Sequence, residues 1–314
     1  MIDVLAKKKI GVIMGGLSAE REVSLTSGGA VEAALKDAGY DVRPIIFNGA
    51  DLVDAIKAAS PDVVFIALHG RHGEDGSVQG LLEIMDIPYT GAGVTGSALA
   101  MDKAITKELL VSHGIPTAQF VTVGKSGFDM DASGVKRLGL PVVVKPSTLG
   151  STIGMSFVYK DEEILPAIEL AFEHDHDVVI ESFVEGRELT VGVLNGSPLP
   201  VVEVIVPGGV YDYKAKYQSH DNRYICPAEL TPDVTKTLQG IAVDVFRALR
   251  GYSVGRVDFR LDNEGRPYVL EMNTIPGMTK SSLLPKAAAA AGMDFTALVE
   301  AILIGAIERR ELNG

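Results

Sequence analysis

At 314 residues the chain is too long for one ordinary core, and on a scale of about 150 residues per domain two or three packed units are expected. With 46% hydrophobic and 22% charged residues it has enough apolar material to order itself, which excludes an intrinsically disordered chain. A formal net charge of -12 argues against nucleic-acid and membrane partners, and the single cysteine, Cys226, excludes an intramolecular disulfide or a multi-thiolate metal site.

Lys7, Lys8 and Lys9 precede an apolar stretch, Ile10 to Met14, that reaches glycine too soon to be a signal-peptide core. No apolar run approaches the roughly 18 residues that span a bilayer, so a cytoplasmic protein is expected. From Ile10 the pattern predicts a strand to Gly15, a helix over about Ala19 to Ala38, a strand at Val42 to Phe47, a helix near Leu52 to Ala59 and a buried run from Val63 to Leu68. That βαβαβ order implies a parallel sheet covered by helices, with ligands at the carboxyl ends of its strands, where Gly15, Gly16 and His69-Gly70 fall. Ser18 reads as an N-cap and Glu20 as a first-turn acid, either stabilising the helix dipole or facing the cleft. His69 is equally open between a structural and a functional role, while His72, Glu74 and Asp75 read as loop polarity.

Gly91-Ala-Gly93-Val-Thr-Gly96 matches the dinucleotide fingerprint G-x-G-x-x-G, but it stands at the end of a domain and Val111 to Pro116 supplies no acid, so context argues against it. A helix after Met101 is broken at Gly114-Ile115-Pro116. Short β-branched segments follow at Phe120 to Val123, Pro141 to Val144, Gly154 to Val158 and Val178 to Glu181, which favour an antiparallel sheet with a helix or two on one face. Lys145 ends one of these segments ahead of the small-residue loop Ser147 to Gly154, an arrangement suited to a phosphate or, equally, to a surface hairpin with a solvated lysine. It is not a Walker A loop.

Strands are expected next at Leu189 to Leu194, Val201 to Val206, Val254 to Leu261 and Pro267 to Met272, with helices near Asp233 to Leu249 and Asp294 to Glu311. The stretch 207–230 lacks periodicity but holds Tyr211, Tyr213, Tyr217 and Tyr224, the mark of a lid or binding loop. Strand alternation puts Arg256 with Asp258, and Glu271 with Asn273, against Leu270 and Met272 on the other face. The turn sequence Asp262-Asn-Glu-Gly265 makes these segments a hairpin that brings Asp258 close to Glu271. Paired carboxylates with an amide and no nearby cysteine or histidine suit Mg²⁺, although a solvated hairpin face would carry the same residues.

The stretches GGLSAEREVS (15–24), ALHGRHGEDGSVQG (67–80), MDKAITK (101–107), VVKPSTLGSTIGMS (143–156), YDYKAKY (211–217), GRVDF (255–259) and LEMNTIPGMTKSSL (270–283) occur in the order and spacing of D-alanine:D-alanine ligases. Across nearly its whole length the chain resembles that family of the ATP-grasp group. The resemblance implies an α/β and α+β fold with three domains: residues 1–101 as a parallel α/β unit on the first-substrate side, and 102–185 and 186–314 as the two that sandwich ATP, with a lid at 207–230. It further implies an ATP-dependent joining of two D-alanines through an acyl phosphate, for cell-wall precursor synthesis, usually as a homodimer. By resemblance Lys103, Lys145 and Lys216 contact ATP, Glu181, Phe183, Val184 and Glu188 form its adenine and ribose pocket, and Asp258, Glu271 and Asn273 hold two Mg²⁺ ions, for which Mn²⁺ can substitute. Glu20, Ser151 and Tyr217 would form a hydrogen-bonded set over the site. Arg256 and Gly277 would stabilise an oxyanion, Ser282 and Leu283 would hold the second substrate's carboxylate, and His69 would lie near the first substrate. Tyr217 favours an amine-accepting, dipeptide-forming enzyme over one using D-lactate. Departures at Thr148-Leu149 and Lys280 bear on loop behaviour and affinity.

Overall fold

The computed structural model describes residues 4–49, 51–129, 134–150, 152–206 and 222–313. Its first strand, β1 (Lys9–Gly15), is buried at every position after Lys9, as a central strand covered on both faces must be. β2 (Asp41–Phe47) and β3 (Val63–Ile66) pair with it in parallel in the order β2-β1-β3, connected through α1 (Arg21–Asp37) and α2 (Leu52–Ala59). The expected βαβαβ unit is therefore present. One detail differs: α1 begins at Arg21 with Glu20 in the cap position, and Ser18 does not cap it. Instead the Ser18 hydroxyl donates to the His69 carbonyl at 2.8 Å and accepts from the Glu20 N–H at 3.2 Å, tying together the loops after β1 and β3.

Two helices with no separate forecast follow, α3 (Ser77–Ile84) and α4 (Val94–Met101). The glycines of the false fingerprint serve close packing at the start of α4. A side chain at Gly96 would meet the carbonyl oxygens of Arg250 and Leu249 at 2.7 and 2.9 Å, and one at Gly93 would collide with the Arg309 guanidinium.

α5 (Lys103–Ser112) starts at a true cap, because Asp102 Oδ1 accepts from the N–H groups of Ala104 at 3.0 Å and Ile105 at 3.2 Å. Next come β4 (Phe120–Gly124), β5 (Val142–Pro146), β6 (Ser156–Val158), α6 (Asp161–Phe172) and β7 (Asp177–Ser182). The four strands form an antiparallel sheet ordered β4-β7-β5-β6, and α6 buries Ile164, Ile168 and Phe172 against its Val142, Val144, Val178 and Ile180.

The third sheet takes in β8 (Arg187–Leu194), β9 (Ser197–Pro198), β10 (Val202–Ile205), β11 (Arg223–Ile225), β12 (Val254–Leu261) and β13 (Pro267–Asn273), ordered β11-β10-β8-β12-β13 with β9 on β8. β11 corrects the irregular reading of 207–230, since three of those residues pair antiparallel with β10 at the sheet edge. Residues 207–221, among them Lys216 and Tyr217, and Ser151 lie outside the described residues. α7 (Pro232–Ala248), with Pro at its start and a Thr231 cap, covers one face of this sheet.

α8 (Leu283–Ala290) and α9 (Phe295–Asn313) complete the chain. α9 folds back to the beginning: Leu298, Ile302 and Leu303 share one buried cluster with Val12 and Phe65 of the parallel sheet and Val31 and Leu35 of α1. No single helix among the described residues is long and apolar enough to cross a bilayer. Ile302 is fully buried, so Ile302→Ala is expected to lower unfolding free energy by about 2–5 kcal/mol, measured by urea denaturation; a loss within the scatter of surface substitutions would show that this joint is not packed.

Candidate active site

The β12–β13 hairpin sets Asp258 directly opposite Glu271 and Arg256 opposite Asn273. A β-bulge between Asp258 and Phe259 adds Leu270 as an extra residue on β13. This overturns simple alternation: Leu270 does not share the buried face with Met272 but faces the same cleft as Glu271. The Arg256 guanidinium grips both Asp258 oxygens at 2.8 Å each, and the Thr190 hydroxyl on the neighbouring strand donates to Oδ1 at 2.6 Å. Among the described residues no three His, Cys, Asp or Glu side chains gather into a metal cluster. A cation at the hairpin would therefore draw on two carboxylates, the Asn273 amide oxygen and a ligand's own oxygens. That donor set fits Mg²⁺ shared with a phosphate and does not fit zinc.

Three lysines converge opposite the hairpin. Lys145, the penultimate residue of β5, donates to Glu181 Oε1 at 2.5 Å, and Lys103 at the start of α5 donates to the Leu149 carbonyl at 2.6 Å and lies 3.7 Å from Glu271. The third, Lys107, stands one turn along α5 from Lys103 with a side chain 0% exposed, 2.7 Å from Glu181 Oε2. Each Glu181 oxygen thus faces its own lysine, Oε1 facing Lys145 and Oε2 facing Lys107. Burial works to raise the Glu181 pKa, but the charge of Lys145 and then of Lys107 overrides it and holds the group at about 2. Burial lowers the basicity of Lys107, opposed by the charge of Glu181.

One cavity is lined by Lys103, Lys145, Glu181, Phe183, Val184, Glu188, Asp258, Leu270 and Glu271, so every described residue expected around a nucleotide meets in one place. Arg260, which sequence reasoning missed, organises its far end by donating to the Val184 carbonyl at 3.1 Å and Glu188 at 3.2 Å, with its guanidinium 5.8 Å from the Phe183 ring centre. A second cavity is lined by Glu20, His69, Glu74, Arg256, Asn273, Gly277, Ser282 and Leu283. Ser282 occupies the cap position of α8, so that helix presents its amino end there. The two cavities share Lys103, Gly150 and Glu271.

Residues 50–92 match the family model described as D-ala D-ala ligase N-terminus, and residues 109–304 that described as D-ala D-ala ligase C-terminus. The chain is 51% identical to the D-alanine–D-alanine ligase of Syntrophotalea carbinolica over 98% of both chains. It is 47% identical to that of Geobacter sulfurreducens over 97% of this chain and 96% of the relative. A crystal structure of D-alanine–D-alanine ligase from Bacillus anthracis complexed with ATP matches with a TM-score of 0.87 at 35% identity, covering 98% of this chain and 100% of that one.

Burial favours the uncharged forms of two groups in the second cavity. His69 is buried with Nε2 lacking a hydrogen bond, and burial lowers its pKa, opposed by the charge of Glu20 and aided by that of Arg256. Glu74, read from sequence as loop polarity, accepts from the Gly70 N–H at 2.6 Å and is pushed up to about 8, first by burial and then by the charge of Glu20. Between its ordinary value of 4.5 and about 8 the folded protein keeps a proton that the unfolded chain has released. The contribution of Glu74 to stability is therefore full below that window and declines as pH rises through it. Glu74→Gln is expected to flatten this decline, read from urea midpoints of both proteins at about pH 5 and about pH 8; parallel slopes would place the titration elsewhere.

Proposed function

The chain belongs to the D-alanine–D-alanine ligase family, and we propose that its two confluent cavities are the nucleotide and D-alanine sites of that enzyme. The activity is the ATP-dependent joining of two D-alanine molecules into D-alanyl-D-alanine, a step of peptidoglycan precursor synthesis. The observation that carries the site assignment is the shared wall of Lys103, Gly150 and Glu271, where a terminal phosphate in one cavity would meet a carboxylate in the other.

A carboxylate is a poor electrophile, so the first D-alanine takes the terminal phosphoryl group of ATP, giving an acyl phosphate and ADP. The amine of the second D-alanine then attacks and phosphate leaves. Lys103, Lys145 and Lys216 hold the phosphate oxygens, while Glu181, Phe183, Val184 and Glu188 hold adenine and ribose. Asp258, Glu271 and Asn273 would hold two Mg²⁺ ions, or Mn²⁺, which would supply charge neutralisation at the transferring group. Glu20 takes the ammonium of the first D-alanine, with neutral His69 beside it. Arg256, held in orientation by its fork with Asp258, and the Gly277 N–H face the developing oxyanion. Ser282 and the N–H of Leu283, at the amino end of α8, receive the second carboxylate. Ser151 and Tyr217 join Glu20 as the lid closes and excludes water from the acyl phosphate.

The same reading divides the chain near residues 101 and 185 and has the enzyme act as a homodimer in the cytoplasm. Incubation with D-alanine, ATP and Mg²⁺ is expected to yield the dipeptide and equimolar phosphate, with the dipeptide dominating when D-lactate is also supplied. Folded protein that gives neither product rejects the site assignment. Glu271→Gln is expected to lower kcat at least about a hundredfold while leaving the thermal melt in place; near-normal turnover would remove Glu271 from the metal site.

A further inference from the structure

The assigned functions leave Lys107 without a task, although it is among the largest fully buried side chains in the protein. Its ammonium donates to Thr117 Oγ1 at 2.5 Å and lies 5.2 Å from the centre of the Phe120 ring. The Thr117 hydroxyl hydrogen is committed to the Val269 carbonyl at 2.9 Å, so its lone pairs face Lys107 and the direction of the bond is fixed. Glu181 therefore has two cations of different kinds. Lys145 lines the nucleotide cavity and is the one that phosphate oxygens attract, whereas Lys107 is locked behind the carboxylate.

We propose that Lys107 is a positioning residue for adenine selection: it is the fixed counter-ion that keeps Glu181 an acceptor-only carboxylate when Lys145 turns to the phosphates. The inference rests on the nucleotide reading of the first cavity. A buried carboxylate that loses its cations takes up a proton. As an acid it also donates, and then tolerates the ring carbonyl of hypoxanthine where adenine carries an amino group. Glu181 lines the cavity beside Lys145, so its carboxylate is the acceptor that a purine amino group would meet.

The test compares kcat/KM for ATP and for inosine triphosphate in the full chain. Lys107→Met is expected to lower the ATP preference at least about tenfold, mainly through a higher KM for ATP. An unchanged preference overturns the proposal, since a merely structural lysine would lower both activities together. Glu181→Gln separates the two levels of inference. If it moves the preference and Lys107→Met does not, the role of Lys107 alone falls; if neither moves it, Glu181 does not face the base and the cavity reading falls with it. Should Lys107→Met fail to fold, the double variant Lys107→Met/Glu181→Gln removes both buried charges. A preference equal to that of Glu181→Gln supports action through the carboxylate, and a further loss overturns it.

Discussion

Asp102 joins two elements that sequence leaves far apart. Its Oδ1 caps α5 and accepts the Ser147 hydroxyl at 2.6 Å, while the Lys103 N–H donates to the Ser147 carbonyl at 2.9 Å and the Ala104 N–H to the Ser147 hydroxyl at 3.0 Å. The start of α5 is thereby fastened to the end of β5. Because a helix repeats its direction every three to four residues, fixing that point also fixes Lys103 and Lys107 against Lys145. Three ammonium groups are thereby gathered in a protein whose formal net charge is -12.

Such a cluster persists only if carboxylates compensate it, and the structure supplies them from both sides. Glu181 reaches in from the central sheet and Glu271 from the hairpin. Breaking a buried pair from one side leaves an uncompensated charge, which is far costlier than never having had the pair. The same side chains consequently carry packing and line the cleft, with Glu181 serving as ballast for the lysines and as a wall of the first cavity.

Much of this was legible in the residues. Apolar runs separated by helix-like segments located the strands of the parallel sheet, and the turn at Asp262 to Gly265 brought Asp258 close to Glu271. The motif around Lys145 marked one side of the cleft, and the family resemblance identified the other contributors. What stayed hidden depended on partners distant in the chain. Lys107 looks like an ordinary helix lysine until β7 brings Glu181 against it, and Glu74 looks like loop polarity until burial and Glu20 hold its proton in place. Leu270 was assigned to the wrong face because one inserted residue reverses alternation, and no local signal announces a bulge. Arg260 lies just beyond the motif that drew attention to its strand.

The return of α9 to the first sheet has a consequence for how the chain is made. A ribosome releases β1, β2 and β3 early, yet part of their apolar cover comes from Leu298, Ile302 and Leu303. Until α9 emerges the parallel sheet has α1 on that side without it, so the closure of this cluster waits for that helix. The second cavity, which takes Arg256, Asn273 and Ser282 from later parts of the chain, is likewise incomplete until they emerge. A nascent chain thus has no complete second cavity to expose until residues as far as Leu283 have emerged.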